Sequence, residues 1–540
     1  MQLSPSAHSD TFCRDSLPPD PLWPELSFTL PALHYPDRLN AAVELLDVTA
    51  GARGGDRPCL LAEDGAAWSY ADTVRVSNQV ARVLTEQLGL IPGNRVLLRG
   101  PNNPWLAACW LGVLKAGGVA VTTMALLRAG ELATIGRVAR PALALCDHRF
   151  TGELVAAGLA GLRIVTYGDR ASDDDLTART ARMPGDFPAV ATAADDVAMI
   201  AFTSGTTGRP KAAMHFHRDL LAIADTFSEH VLKPRADDVF TGTPPLAFTY
   251  GLGGLLAFPL RAGASTLLLE KATPAELADQ IAARGVTVLS TAPTAFRAML
   301  AAGKAAQLRG LRRPVSAGEH LPGSTWQAFY DATGVKIIDG IGSTEMLHIF
   351  ISSADEDIRA GSTGRVVPGY EAAILDAEGK PVPDGTPGRL AVKGPTGCRY
   401  LADDRQRSYV ADGWNLTGDT YVRDADGYFW YQARSDDMII SGGYNIAGPE
   451  IEEVLLGHPD VAECGVVGVP DEARGQIVTA YVVLRDGASR DAAKISELQD
   501  YVKQQIAPYK YPRAMHFLDV LPRTNTGKLQ RFRLRDLSGA

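Results

Sequence analysis

The sequence predicts an α/β protein in two parts: a large N-terminal domain of helix-covered, mostly parallel sheets over residues 1–435, and a small α+β domain over 436–540. Three observations carry this expectation. Short apolar runs alternate with amphipathic stretches through the middle of the chain, and strand–helix–strand alternation implies parallel strands joined by crossovers. Strong helix start and stop signals punctuate that alternation. After about residue 436 the texture changes to a compact α+β pattern.

In chain order, the polar stretch Gly168–Pro188, with Asp173-Asp174-Asp175, reads as a surface loop of solvated charges. Val197–Phe202 is an apolar run that leads into a glycine-rich turn. Phe216, Leu220, Ile223, Phe227 and Val231 then recur at three- and four-residue intervals, a helix stripe. Ser265–Leu269 reads as a strand. Thr273-Pro-Ala-Glu276 is a capping box with proline at the first helical position. That helix runs to Arg284 and stops at Gly285, and the next strand starts at Val286–Leu289. In the second part, the amphipathic segment Pro449–Leu456 precedes strands at Gly465–Val469 and Ile477–Leu484 and a helix near Ile495–Gln505.

Composition narrows the function classes. With 46% hydrophobic and 21% charged residues, the 540-residue chain is neither disordered nor a fibrous rod. Lys and Arg number 53 against 62 Asp and Glu, a net charge of −9, which argues against a broad nucleic-acid-binding face. The six cysteines form no Cys-x-x-Cys pair, so neither a zinc site nor a disulfide frame is expected. Asp10, Arg14, Asp15 and Asp20 interrupt the N-terminus, and Lys115 and glycines interrupt the apolar stretch Leu106–Ala125. Neither a signal peptide nor a membrane span is expected, and the reading is a cytoplasmic protein.

The segment Phe202-Thr-Ser-Gly-Thr-Thr-Gly-Arg-Pro-Lys211 carries the chemistry most plainly. Gly205 and Gly208 let backbone amides approach an anion, while Thr203, Ser204, Thr206, Thr207 and Lys211 donate to phosphate oxygens. It is read as a loop after a strand, with the lysine before a helix. It is not a Walker A loop, because no Gly-Lys-Ser/Thr stands at the required spacing.

This segment resembles the phosphate loop of the adenylate-forming superfamily: acyl-CoA synthetases, peptide-synthetase adenylation domains and luciferases. Other segments that resemble the superfamily's motifs follow in its order: Ala317-Gly-Glu-His320, Gly340-Ile-Gly-Ser-Thr-Glu345, Leu416-Thr-Gly-Asp419, Ala433-Arg434 and Pro522-Arg-Thr-Asn-Thr-Gly-Lys528. The resemblance implies an adenine turn at Gly318, Glu319 and His320, with Asp339, Gly340 and Tyr431 also on the ATP side. It implies an α-phosphate contact from Thr344, a Mg²⁺ ligand in Glu345 and ribose contacts from Asp419 and Arg434. It also implies a catalytic lysine, Lys528, on a mobile C-terminal domain. Singly these residues are weak signals: a lone lysine near a C-terminus is ordinarily a solvated charge. Two positions depart from the family pattern, Ile341 where an aromatic residue often stacks on adenine and Ala433 where a glycine usually precedes the arginine.

The chemistry explains the residue types. A carboxylate attacking the α-phosphorus of ATP brings two anions together, and fixed donors and a cation must offset their repulsion. For the second step the resemblance implies a domain swing about Asp436 and a thiol tunnel lined by Ser441, Gly442, Gly443 and Tyr444, with coenzyme A as acceptor.

Pro245–Gly254 corresponds to the family's acyl pocket. It lacks the aspartate of amino-acid-activating members, and Ala247-Phe248 stands where siderophore aryl-adenylating enzymes often place His-Asn. Phe248, Thr249, Tyr250, Phe258, Gly342 and His348 are the implied pocket residues. Together with Leu33–Asn40 they most resemble the benzoate-CoA and 2-aminobenzoate-CoA ligase groups. The expected substrates are an aromatic carboxylic acid, ATP and CoA, with Mg²⁺ as metal and a homodimer as one expectation for assembly. A medium-chain acyl-CoA synthetase and a stand-alone enzyme that loads a carrier protein are the alternatives, and a non-catalytic nucleotide-binding protein is a third.

Overall fold

The computed structural model describes residues 3–169, 171–203, 210–434, 437–441, 444–471, 474–506, 508–524 and 527–537, with the side chains of residues 444, 445 and 508 left aside. Two large sheets dominate the N-terminal domain. In one, strands Arg163–Tyr167, Leu143–Asp147, Arg95–Gly100, Val119–Met124 and Val197–Thr203 lie side by side and parallel, closed by antiparallel Lys211–Phe216. In the other, Ile338–Gly342, Arg313–Ser316, Val288–Thr291, Val239–Gly242, Ser265–Leu268 and Pro58–Ala62 are parallel neighbours, with antiparallel strands at both margins. The central strands read as continuous buried runs, as sheets covered on both faces require. A third sheet, built from Glu371–Leu375, Gly388–Lys393, Trp414–Arg423 and Phe429–Arg434, is antiparallel throughout.

The helix signals in the sequence act as expected. Thr273 Oγ1 accepts the Glu276 N–H and the Glu276 carboxylate accepts the Thr273 N–H, with Pro274 at the first position of helix Pro274–Arg284. Gly285 closes that helix at φ 63°, in the left-handed region that favours glycine.

One expectation needs correction and another needs an added strand. Gly168–Pro188 is not an unstructured loop of solvated charges, for it contains helix Leu176–Ala181. Asp175 is fully buried and accepts from the N–H groups of Gly168, Asp169 and Thr177. A charge run hides a capping aspartate when one member has orphan amides to satisfy. Lys211, in turn, opens a strand, and the helix begins six residues later at His217. The β-branched and apolar residues before the turn find an antiparallel partner after it, which local periodicity does not report.

The C-terminal domain is a sheet of Tyr444–Ile446, Ile439–Ser441, Gly475–Leu484, Val461–Asp471 and Ala514–Phe517, covered by helices Gly448–Leu456 and Ala492–Gln505. Ile439, Ile451, Leu455, Val466, Val478, Leu498 and Val502 form its own core. Among the described residues no helix is long and apolar enough to cross a membrane.

Candidate functional site

The turn from Gly342 to His348, between strands Ile338–Gly342 and Ile349–Ser352, is the centre of the site. Ser343 Oγ accepts the Met346 N–H at 3.1 Å, and the Thr344 carbonyl accepts that of Leu347 at 3.2 Å. Leu347 sits at φ 69°, a left-handed conformation that costs a leucine energy and persists only where its surroundings impose it. This tight turn projects Glu345, which is buried, toward segment Cys398–Leu401. There the Tyr400 hydroxyl donates to Glu345 Oε1. The Lys211 ammonium stands 5.3 Å from the Tyr400 ring centre and 5.9 Å from that of Tyr409. Lys211 thus stands beside the ring whose hydroxyl holds the carboxylate.

Asp419 and Arg434 are cross-strand partners in the third sheet, and Arg434 Nη1 lies 3.2 Å from Asp419 Oδ1. Gly418 makes room for the guanidinium: at φ 78°, a Cβ there would stand 2.9 Å from Arg434 Nη2. Burial pushes the Asp419 carboxyl up, against the pull of Arg434. Opposite, the His320 ring stacks on Tyr431 at 5.2 Å, and burial lowers its imidazole to about 4. Asp339 Oδ1 is sealed from solvent with no hydrogen-bond partner of standard geometry among the described residues, and burial pushes that carboxyl well up, against weak contacts from Gly340 and Ser316.

Lys528, from the C-terminal domain, faces these groups. A Cβ at Gly318 would lie 3.9 Å from its Cε. The surrounding protein holds its ammonium below the ordinary lysine range, chiefly by desolvation and then by the charge of Arg434, while Glu319, Asp419 and Glu345 pull the other way. The residue as a whole keeps solvent contact, while the end of its side chain stands against Gly318. Arg523, five residues earlier, lies 3.5 Å from Glu319 and pairs with Glu463 at 2.6 Å in its own domain. Glu453 Oε1 accepts the Ser324 N–H at 3.3 Å, at the N-terminus of helix Gly323–Thr333.

A second cluster adjoins the turn. Phe227, Tyr250 and Phe258 surround His348 at ring separations of 5.4, 5.6 and 4.6 Å. His348 is 3% exposed, and burial lowers its imidazole to about 3, against a weak opposing contact from the Tyr250 backbone. Neither ring nitrogen has a hydrogen-bond partner of standard geometry among the described residues. The Tyr250 hydroxyl donates to the Val315 carbonyl at 3.0 Å, which pins its ring. Thr249 is buried and Phe248 half-buried on the same segment. Gly253 underlies the cluster: a Cβ there would strike His348 Cδ2 at 2.3 Å and approach Phe258 Cζ at 3.1 Å.

Of the residues named from sequence, the structure therefore gathers Lys211, Gly318, Glu319, His320, Asp339, Glu345, Asp419, Tyr431, Arg434 and Lys528 on facing surfaces. It sets Tyr250, Phe258 and His348 beside them, and Gly342 packs against the His348 carbonyl. Gly340 packs on Ile349, where a Cβ would come within 2.8 Å. Thr203 ends its strand, and Ser441 is buried, with its Oγ 3.3 Å from Arg474 Nε. Ser204, Gly205, Thr206, Thr207, Gly208, Asp436, Gly442, Gly443 and the Tyr444 side chain lie outside the described residues. Sequence reading missed Tyr400, Phe227, Gly253 and Arg523 as members of the site. Phe227 was visible only as one member of a core stripe; Tyr400 carried no signal at all.

Two domains facing each other across a lysine, a carboxylate turn and an Asp–Arg pair define the adenylate-forming architecture. The chain belongs to the AMP-binding enzyme family: the AMP-binding enzyme model matches residues 46–400, and the model of that enzyme's C-terminal domain matches 450–528. It is 35% identical to a benzoate–CoA ligase of Thauera aromatica, over 94% of this chain and 98% of the relative. Among solved structures it is similar to the anthranilate CoA ligase AuaEII in complex with anthranoyl-AMP, with TM-score 0.89 and 34% identity over 94% of this chain and 99% of that one. It is also similar to a benzoate CoA ligase from Burkholderia xenovorans LB400, with TM-score 0.85 and 32% identity over 92% and 100%.

Proposed function

We propose that this protein is an AMP-forming ligase that joins an aromatic carboxylic acid of the benzoate type to coenzyme A. The observation that carries the reading is the aromatic cluster Phe227, Tyr250, Phe258 and His348, set beside the turn that bears Glu345, with Lys528 opposite. The names of the similar proteins, ligases of benzoate and anthranilate, support it. A rigid ring fills an aromatic-walled slot without giving up rotamer freedom, whereas an alkyl chain must surrender it.

In the first half-reaction a carboxylate oxygen attacks the α-phosphorus of ATP, and pyrophosphate leaves. Asp419 and Arg434 hold the ribose, and His320 stacked on Tyr431 walls the adenine. Lys211 and the turn before it, Thr203 to Gly208, bind the phosphates. Lys528 donates to the carboxylate and phosphate oxygens where charge develops. Thr344 contacts the α-phosphate. The donor set fits Mg²⁺, a hard cation that takes one or two carboxylates together with substrate phosphates; Glu345 is the residue that would hold it. When bound, the ion neutralises phosphate charge.

In the second half-reaction the CoA thiol attacks the acyl carbon and AMP leaves. The domain boundary at 435/436, a swing about Asp436 and a thiol tunnel at residues 441–444 belong to this proposal. Polar contacts across the domain face, Arg523–Glu319 and Glu453–Ser324, support a surface made to separate. A panel of benzoate, 2-aminobenzoate, 2-hydroxybenzoate, hexanoate and octanoate, assayed for AMP release with CoA, tests the reading. The expected order places the three ring acids first; octanoate as best substrate would replace it with a medium-chain acyl-CoA synthetase.

A further inference from the structure

The buried hydroxyl beside Glu345 has no role in the chemistry above, and its surroundings are built with care. Segment Cys398–Leu401 is paired to the strand that leaves the glycine-rich turn: Met214 N–H donates to the Arg399 carbonyl at 2.8 Å and Leu401 N–H to that of Ala212 at 2.9 Å. The Tyr400 N–H is itself bound, donating to Gln406 Oε1 at 2.9 Å, and Gln406 Nε2 reaches back to the Cys398 carbonyl at 3.0 Å. Tyr400 is fully buried and meets Tyr409 edge-on at 5.8 Å, while the Tyr409 hydroxyl bonds Ser343 at 3.2 Å. Both neighbours of the ring are thereby fixed, and among the described residues its hydroxyl donates to Glu345 Oε1.

We infer that Tyr400 is the positioning residue of the metal-binding carboxylate. By holding Oε1 it fixes the Glu345 carboxylate and leaves Oε2 for the ion, while its ring meets the Lys211 ammonium. An unrestrained glutamate would have to freeze its rotamers each time the ion bound, and a restrained one has done so on folding. The inference rests on the proposed reading of Glu345 as the Mg²⁺ ligand.

The test is ATP binding to the full-length protein by calorimetry, with Mg²⁺ and in EDTA, for the wild type and Tyr400→Phe. The phenyl ring preserves the packing against Tyr409 and the face offered to Lys211. The metal-dependent tightening, taken as the ratio of the two Kd values, should shrink by about tenfold or more, as loss of a group orienting a metal ligand does. The Kd in EDTA should change less than twofold. Tyr400→Phe made in a Glu345→Gln background should then change the ratio no further. Equal weakening with and without metal would mark Tyr400 as merely structural and overturn the inference, as would an unchanged ratio. A wild-type ratio of one would overturn the metal reading of Glu345 itself, and this inference with it.

Discussion

Inside each domain apolar side chains close into cores that stay within that domain, whereas the described contacts across the face between the domains are polar. The main N-terminal core runs from Leu39 to Phe429, and the C-terminal cores from Ile439 to Leu534; no apolar cluster of described residues joins them. Across the face stand Arg523 with Glu319 and Glu453 with the Ser324 N–H. Hydrophobic burial is non-directional and grows with area, so an apolar face would fuse the two bodies. Charge contacts of low net worth let them part. The groups proposed to bind nucleotide and acid are thus held by packing, while the proposed catalytic lysine stands on a domain that meets them through polar contacts.

The largest effect that would sharpen this contrast is at Lys528. Lys528→Ala should lower acyl-AMP formation by about 10²–10³-fold, the loss that follows removal of one donor to a developing oxyanion. Thioester formation from supplied acyl-AMP should survive, and measuring both half-reactions separates this from misfolding. If both fell together, the division of labour between the domains would be wrong.

The packed side should fail differently. Gly253→Ala drives a methyl group into His348 and Phe258, and overpacking of this kind costs about 1–3 kcal/mol. The kcat/KM for the aromatic acid should fall by about ten- to a hundredfold. ATP binding should remain within twofold, since Asp419, Arg434 and His320 lie on other elements. Loss of ATP affinity on the same scale would show that the two clusters are one.

A third effect is read in stability. His348 is held neutral, its imidazole lowered from an ordinary value near 6.5 to about 3 by burial. Below pH 6.5 the unfolded chain takes up a proton that the folded one refuses. The stability present above that pH is therefore lost progressively as pH falls toward 3. His348→Phe should remove about 2 kcal/mol of the difference between pH 7 and pH 5, measured by urea unfolding at both values. An unchanged pH dependence would mean that His348 is not sealed from water.

The smallest effect belongs to the releasing face. Glu453→Gln removes a negative charge from a helix N-terminus, an interaction worth about 0.3–1 kcal/mol. Adenylation should slow by about two- to fivefold, and added salt should slow the wild type toward the variant. A variant indistinguishable from wild type at low salt would remove Glu453 from the face.

How much of this was legible beforehand differs by kind of residue. Thr273, Glu276 and Gly285 announced a helix because caps and left-handed stops act within a few residues. The tight turn that carries Glu345 was legible as one short segment, whereas most of Phe202–Lys211 lies outside the described residues. Asp175 was misread, because one aspartate of a run looks like its neighbours until orphan amides select it. Lys211 was read only as preceding a helix, because the strand it opens is stabilised by a partner strand and not by its own periodicity.

The sequence alone determined the local pieces: helix limits, the overall balance of charge, and the order in which the motifs occur. Only the tertiary structure decided which of them meet. Arg434 reaches Asp419 because two strands pair in one register. Tyr400 reaches Glu345 from 55 residues away because Cys398–Leu401 pairs with the edge of another sheet. Phe227 leaves an ordinary helix stripe to wall His348 because a helix and a turn are packed together. Such contacts depend on long-range pairing and burial, whose free energy exists only once the chain has closed its loops, and no short stretch of sequence contains them.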